Sequence, residues 1–570
     1  MTRRPITRRP VPAVELPDDL DPVLARIYAA RGVRSAADLD LGLDRLLPVG
    51  SLEGVAAAAA LLARTLERGE RVLVVGDYDA DGATATALVV RALRRFGHGD
   101  VGFLVPDRFR FGYGLTPEIV AVAAERAPRL IVTVDNGIAS VEGVAAANAL
   151  GIEVLITDHH LPGAELPAAA AIVNPNLPGA AFGSRALAGV GVAFYVLLAL
   201  GRRLGLPSSA TADLLDLVAL GTVADVVPLD HNNRVLVRAG LERIRAGRCV
   251  PGIAALAAVA GRTLATAGTA DLGFFIGPRL NAAGRLEDMS VGIECLLTDD
   301  AAAARELAAR LDRLNQERRT IEGRMQDDAL AIVARLNLGE PGVTWPAAFT
   351  LYDADWHQGV VGLVAARVRE HVHRPVVAFA PVDDGLARGS ARSVPGIHVR
   401  DALEAVATRR PGLIERFGGH AMAAGLTLAA SRLREFGAEF AAEVGRRATP
   451  GLLEGRLYTD GPLAAAELTL ATAERLRTAG PFGAGFPEPT FDGDFNVLEA
   501  RVLGERHLKL WVKSSPTSVP QEAIAFGWLA RAGAVVPARD ARVRLVYRLD
   551  VNEYQGTRRP QLLIDYLEPA

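Results

Sequence analysis

Three short apolar runs in this chain end on the same kind of residue, and this constrains the fold more than any other feature. RVLVV (71–75) leads into GDYDADG, RLIVTV (129–134) into DNG, and EVLIT (153–157) into DHH. Continuous β-branched runs of this length are the pattern of strands buried on both faces. ATATALVVRALRRF (83–96) follows the first run with helical spacing, and an alanine-rich helical stretch precedes the third. AIV (171–173), ending in NPN, reads as a fourth strand. Strands alternating with helices predict a parallel sheet with right-handed crossovers. The carboxyl ends of such a sheet share one edge. Asp77, Asp79 and Asp81, then Asp135, then Asp158 with His159 and His160, therefore converge there. Asp225, in GTVADVVPL after an apolar helical run, is expected to join them.

Each piece taken alone has a plainer reading. DG and NG after a strand are ordinary turn signals, and a single histidine more often makes a structural hydrogen bond than ligates a metal. Together the pieces predict a metal site, because so many carboxylates at one edge would repel unless cations offset them. Carboxylate oxygens with one or two imidazoles suit Mn²⁺ or Mg²⁺ rather than structural zinc. The acids exceed what one ion needs. Two ions about 3.5–4 Å apart, bridged by a shared carboxylate, favour phosphoester hydrolysis. No Gly-x-x-x-x-Gly-Lys loop signals nucleoside-triphosphate chemistry.

The 570 residues suggest roughly three or four domains at about 150 residues each. Residues 1–50 read as an arm packed on something else, and residues 51–298 as the sheet domain with a helical extension. A long connecting helix is expected over 299–338, with Leu307, Leu311, Leu314, Ile321, Met325 and Ile332 on one face and Thr298 as its cap. At 1.5 Å per residue it would span ~57 Å, and Gly323 marks a candidate bend. A mixed α/β segment follows over 339–448, with strands near 348–353 and 375–380. Short alternating stretches over 449–570 predict a small β-barrel. Cys249 and Cys295 are too few for a disulfide framework. The most membrane-like run, 186–201, is too short for a span and reads as a buried helix, so a cytoplasmic protein is expected. The net charge of −3 would by itself argue against a nucleic-acid partner. What matters is where charge sits, however, and both lysines of the chain, Lys509 and Lys513, fall in the barrel segment.

DYDADG, VDNG, DHH and ADVVPL, in this order, resemble the DHH phosphoesterase superfamily. GPRLNAAGR (277–285), ARGSARS (387–393) and GGHAMAAG (418–425) resemble its RecJ family of bacterial single-strand-specific 5′→3′ DNA exonucleases. The resemblance covers about residues 55 to 570, with no departure at the acidic motifs. It implies an α/β multidomain fold: a parallel-sheet DHH domain, a long connecting helix, a mixed α/β DHH-associated domain and a C-terminal OB-type barrel. It also implies that Asp79, Asp81, Asp135, His159 and Asp225 hold two Mn²⁺ or Mg²⁺ ions, with Asp135 as the bridge. Asp77 and Asp158 would be auxiliary groups, and His160 would stand beside the scissile phosphate. Ser390, Arg392 and Ser393, with Gly418, Gly419 and His420, resemble a phosphate-gripping face. Arg279, Asn281 and Arg285 match a segment that contacts the strand near its 5′ end.

In the barrel segment, basic residues interleave with aromatic ones, the combination that single-strand binding needs. Lys509, Trp511, Lys513, Arg548 and Tyr554 are the candidates. The expected activity is release of 5′-mononucleotides from single-stranded DNA in recombination and repair. A monomer working beside single-strand-binding protein and a RecQ-type helicase is expected. Two alternatives remain open: a phosphodiesterase on short oligonucleotides or cyclic dinucleotides, and a DNA-binding DHH scaffold that does not cut. The basic barrel and long helix disfavour the first, and the intact Asp/His set disfavours the second.

Overall fold

The computed structural model of the chain describes residues 4–107, 111, 113–334, 345–382, 385–449, 451–530, 534–554 and 556–570. They form two compact units. One holds residues 1–277, 296–299 and 456–570, and the other holds residues 278–295 and 300–455.

The first unit begins with β1 (Ile6–Arg8) and contains a parallel sheet built from β2 (Val72–Gly76), β3 (Val101–Leu104), β4 (Leu130–Val134), β5 (Glu153–Thr157) and β6 (Ala171–Val173). The order is β3-β2-β4-β5-β6. β2 and β4 are buried along their whole length, which is why they read as unbroken apolar runs. The edge strand β3 was not expected, because its VGFL is only partly buried and gives no strong pattern. Register decides what the sheet presents at its carboxyl edge. Gly76 pairs with Val134, Val134 with Thr157, and Thr157 with Val173. The next residue of each strand is therefore Asp77, Asp135, Asp158 and Asn174, side by side. Helices Ala80–Arg95, Gly189–Arg203 and Leu215–Ala224 pack together beside this sheet. Gly189–Arg203 is the buried helix expected from the 186–201 run, and among the described residues no single helix is long and apolar enough to cross a membrane.

The second unit contains the 34-residue helix Ala301–Ala334, ~51 Å long. Its expected last turn, 335–338, lies outside the described residues. Asp300 rather than Thr298 caps it, accepting from the Ala302 N–H at 2.7 Å. The helix runs unbroken through Gly323, and its buried stripe shares only Leu311 and Met325 with the expected face, Ile321 and Ile332 being partly buried beside it. It consists of Ala304, Ala308, Leu311, Asn315, Arg318, Glu322, Met325, Ala329 and Val333. The polar members are buried because they satisfy one another: Arg318 donates to Asn315 at 2.9 Å and to Glu322 at 3.0 Å, and Arg367 donates to Glu322 at 3.2 Å. The sheet of this unit comprises β7 (Phe349–Tyr352), β8 (Val376–Pro381), β9 (Leu386–Arg392), β10 (Arg416–Gly419) and β11 (Ala423–Ala429), in the order β10-β11-β9-β8-β7.

The chain then returns to the first unit through β12 (Leu457–Thr459). A closed barrel follows, made of β13 (Phe491–Leu503), β14 (His507–Lys513), β15 (Gln521–Ala525), β16 (Arg542–Tyr554) and β17 (Thr557–Pro569). Trp528, Tyr547, Phe491 and Phe495 fill its core. The N-terminal arm packs on this barrel. β1 pairs in parallel with β12, and Val23 and Ile27 of the helix Pro22–Ala29 join the barrel core. Arg31 and Asp460 form a fully buried pair at 2.7 Å, of the kind that is costly to break from one side.

Candidate metal centre

The acidic edge is built by close backbone approaches that glycines permit. A Cβ on Gly76 would lie 2.1 Å from Thr86 Oγ1, and one on Gly82 would lie 2.5 Å from the Asp77 carbonyl oxygen. The DYDADG turn therefore folds tightly onto the start of the helix Ala80–Arg95. Asp79 is its N-cap, with Oδ1 accepting from Asp81 N at 2.9 Å and Gly82 N at 3.0 Å. Asp81 faces the N-terminus of another helix and accepts from Gly189 N at 2.6 Å and Val190 N at 2.9 Å. The unpaired amides of a helix start suit this anion.

Asp135 adopts φ 61°, a left-handed conformation that aspartate tolerates better than most residues, and donates its N–H to Thr157 O at 3.0 Å. After β5, Asp158 organises the histidine loop. Its Oδ2 accepts from Ile138 N at 2.9 Å, and its Oδ1 accepts from His159 N at 2.7 Å, His160 N at 3.1 Å and His160 Nδ1 at 2.7 Å. Asn174 and Asn176 hold the same loop by donating to the carbonyls of His160 (2.9 Å) and His159 (2.7 Å). Asp225 is the C-cap of the helix Leu215–Ala224.

These side chains converge in overlapping groups. Ligand atoms of Asp77, Asp79 and Asp135 lie within 4.8 Å of one another, as do those of Asp81, His159 and Asp225, and those of Asp135, His159 and His160. His159 Nε2 lies 3.1 Å from Asp135 Oδ1 and 3.5 Å from Asp225 Oδ2, joining the first two groups. Asp135 Oδ1 and His159 Nε2 are buried yet make no hydrogen bond. A buried polar atom left in that state is costly unless something else engages it. Burial, with the charges of Asp225 and Asp79, holds Asp81 well above the usual carboxylate range. Burial and then Asp81, Asp79, Asp225 and Asp77 do the same to Asp135, and Asp225 is also raised, chiefly by burial. His159 is pushed down by burial, which favours the neutral ligand form. The oxygen-rich donor set and its unsatisfied atoms fit two divalent cations of the Mn²⁺ or Mg²⁺ class.

The same electrostatics predict how the metal-free protein responds to pH. Burial lowers the His160 pKa, but the hydrogen bond and charge of Asp158, with Asp77 and Asp225, outweigh it and raise it to about 9. The stability this contributes is complete below the ordinary histidine value of 6.5 and is lost as pH rises through 9. Asp81, Asp135 and Asp225, also raised, act in the same direction, because a folded state that binds protons more tightly gains stability as pH falls. His159, pushed down by burial, opposes this only near the lower end of the window. With chelator present, the melting temperature is expected to climb as pH falls from 9 to 6.5. Saturating Mn²⁺ should flatten that slope. A metal-free melting temperature that rises with pH across this window would contradict the picture.

Sequence reasoning missed several residues of the site. Tyr113 donates to Asp135 O at 3.2 Å, and its hydroxyl lies 3.2 Å from His160 Nδ1. Asn174 and Asn176 were visible only as NPN after a strand, which reads as a turn. Gly189 matters through what it lacks: a Cβ there would sit 2.6 Å from Asp135 Cβ.

The second unit assembles the other group of candidates. Register places Gly418 opposite Gly425, and Gly425 opposite Ser390, while Ala423 faces Arg392. Arg392 donates to Ser390 Oγ at 2.8 Å. A Cβ on Gly362 would lie 2.8 Å from Arg392 Nη2 and 2.9 Å from Ser390 Oγ, so this glycine makes room for both side chains. Gly419 pairs with Ala424, and the His420 N–H donates to Ala423 O at 2.7 Å. Ser393 turns away from this group. It is buried and its hydroxyl donates to Ile397 O at 2.7 Å. Arg279, Asn281 and Arg285 share the helix Gly277–Leu286. Arg279 pairs with Asp312 at 2.7 Å, and Arg285 donates to Gly359 O at 3.1 Å.

On the barrel, Trp511 is flanked by Lys509 (4.8 Å from its ring centre) and Arg501 (5.9 Å). Phe526, absent from the sequence-based expectation, is exposed edge-on to His507. Lys509 pairs with Glu522 at 2.8 Å, Lys513 approaches Pro516 O at 3.4 Å, and Arg548 is engaged by Glu488 and Asp565. The backbone of Tyr554 ends β16, but its side chain lies outside the described residues.

Comparison with known proteins gives concordant matches. The DHH family N-terminal domain matches residues 71–222, the DHHA1 domain residues 345–446, and the RecJ OB domain residues 459–566. The single-stranded-DNA-specific exonuclease RecJ of Dickeya dadantii is 53% identical over 573 residues, covering 99% of each chain. The crystal structure of RecJ in complex with Mn²⁺ from Thermus thermophilus superposes with a TM-score of 0.80 at 35% identity, covering 97% of this chain and 76% of that one. The Mg²⁺ complex from the same organism gives 0.74 at 33% identity, covering 97% and 75%.

Proposed function

The chain belongs to the RecJ family of single-stranded-DNA-specific exonucleases, and from that premise we propose that it hydrolyses single-stranded DNA from the 5′ end to 5′-mononucleotides. The observation that carries this reading is that the two ligand groups meet, with His159 Nε2 3.1 Å from Asp135 Oδ1. Asp77, Asp79 and Asp135 would hold one divalent cation and Asp81, His159 and Asp225 the other, with Asp135 also within reach of His159. Bound there, Mn²⁺ or Mg²⁺ would supply the Lewis acidity that activates water and offsets charge on the phosphate. Asp158 keeps His160 oriented through its Nδ1 hydrogen bond, so that the imidazole is held where the phosphate would react. The barrel face around Trp511 and Phe526 offers rings on which bases stack, and the basic residues beside it follow the backbone. Because the substrate is single-stranded, an enzyme that opens duplexes must supply it. A RecQ-type helicase and single-strand-binding protein in the cytoplasm fit that role.

The deciding experiment follows 5′- and 3′-labelled oligonucleotides with Mn²⁺. Early release of a labelled mononucleotide from the 5′ end, with blunt duplex untouched, is expected. Early loss of the 3′ label would overturn the polarity.

Arg392 and Ser390 form the phosphate grip of the second unit in this reading, since a planar guanidinium beside a hydroxyl suits a phosphate. Arg392→Ala is expected to lower kcat/KM roughly tenfold or more, the worth of a charge-assisted hydrogen bond. It should also reduce the salt dependence of binding by about one counterion. Lysine at this position should rescue only in part, because it keeps the charge and loses the fork. Unchanged salt dependence in Arg392→Ala would remove the residue from the DNA path.

A further inference from the structure

The six residues Asp271–Ile276 form a π-helical turn immediately before Gly277. Such turns are rare and concentrate at functional sites. This one lies along the end of the helix that carries Asp225. A Cβ on Gly273 would stand 3.3 Å from Val223 Cγ1, and one on Gly277 would stand 3.0 Å from Ala224 Cβ. Leu272 and Ile276 are buried against the core, and Phe275 is covered by the Arg262 guanidinium at 4.4 Å. Phe274 is left 78% exposed, and among the described residues it has no ring or cation partner. Val226, the residue after Asp225, is 68% exposed and adopts φ 63°. A β-branched residue in that region is strained, and strain of this kind persists where the surroundings impose it, often beside functional sites. Two large apolar side chains are thus presented to solvent at the helix end that delivers a metal ligand.

We infer that Phe274, with Val226 beside the metal edge, is a platform on which one nucleobase of the substrate strand stacks. The occupant is a base rather than a protein because Val226 directly follows Asp225, at the edge where the phosphodiester would react, and the turn carrying Phe274 packs on the end of the same helix. A flat ring accepts any base, as an exonuclease without sequence preference requires. Stacking fixes the nucleotide's rotation about the backbone while the metal edge holds its phosphate, so the platform acts on binding and register. Phe274 touches base and not reacting atoms. The inference rests on the exonuclease reading above.

The test measures steady-state KM and kcat in Mn²⁺ for the wild type, Phe274→Ala and Phe274→Trp. Each is given a normal single strand and strands carrying one abasic site, walked inward from the 5′ end. Phe274→Ala should raise KM at least about fivefold, the low end of one base–aromatic stack, with the effect falling on KM more than on kcat. Phe274→Trp should stay near wild type. At one position the abasic site should raise the wild-type KM similarly and add nothing in Phe274→Ala. An unchanged KM in Phe274→Ala, or an abasic penalty that persists in full there, overturns the platform. So does loss of self-association in Phe274→Ala at unchanged KM, which would assign the surface to a second copy of the chain. A wild type that cleaves none of the strands overturns the exonuclease reading and this inference with it. A wild type that cleaves normally separates the two.

Discussion

Asp135→Asn is expected to abolish hydrolysis while making the metal-free protein more stable. Asparagine keeps the size of the side chain and accepts φ 61° about as well as aspartate, so the backbone has no reason to move. What disappears is a buried negative charge that belongs to two overlapping ligand groups and has an oxygen making no hydrogen bond. Activity should fall on the order of 10³-fold or more, the upper range for removing one electrostatic group from a reacting centre. Without metal, the same change relieves both the burial of a charge and the repulsion from Asp81, Asp79, Asp225 and Asp77 that raise this carboxyl. The chelated variant should therefore melt above the chelated wild type. Mn²⁺ should reverse the ranking, since a ligand at roughly 100 times its dissociation constant adds about 2.7 kcal/mol to a protein that binds it. Melting curves with chelator and with Mn²⁺, alongside single-turnover cleavage, give all three readings. Substantial activity in the variant, or a lower metal-free melting temperature, would remove Asp135 from the metal centre.

The acidic edge was legible because two independent signals coincided. Buried parallel strands must be apolar throughout, so β2, β4 and β5 announce themselves, and the next residue of each is an acid whose place the register then fixes. Where only one signal exists, reading fails. β3 is half-buried, and its glycine and phenylalanine fit several structures. The long helix was foreseen as an element and only in part in its packing. Its buried stripe passes through Asn315, Arg318 and Glu322, and a rule that buries apolar residues cannot find a stripe whose polar members pair internally. Tyr113, Asn174 and Asn176 act through carbonyl oxygens and ring edges brought together by the sheet, which no spacing in the chain encodes.

Net charge shows the same limit from the other side. The sum of −3 conceals an acidic edge that cations offset, together with arginines and lysines on the barrel and around Arg392. Several of those basic groups are already paired, Lys509 with Glu522 and Arg548 with Glu488. Composition therefore overstates the free positive surface, while Phe526 stays exposed and the partly buried Trp511 ring carries Lys509 and Arg501 over it.

Gly189→Ala should damage the metal centre nearly as much as removing a ligand, although the residue contributes no ligand atom. Its added Cβ would meet Asp135 Cβ at 2.6 Å and Asp135 Cα and Oδ1 at 2.8 Å. Two of those atoms are backbone or directly attached to it, so no side-chain rotation relieves the clash. Its N–H meanwhile donates to Asp81 Oδ2 at 2.6 Å, with Val190 N on the other oxygen at 2.9 Å. Any retreat of the helix start therefore shifts an aspartate of each ligand group at once. Overpacking of this kind costs about 1–3 kcal/mol of stability, whereas misplacing reacting groups by about 1 Å can cost roughly 100-fold in rate. Gly191→Ala provides the control. Its Cβ would meet the tip of Leu187 at 2.7 Å, a flexible end that can move aside. Gly189→Ala should lose about 100-fold in kcat/KM and need more Mn²⁺ for half-maximal activity, while Gly191→Ala should lose stability with little change in either. Equal Mn²⁺ requirement in the two variants would show that the helix start does not couple Asp81 to Asp135.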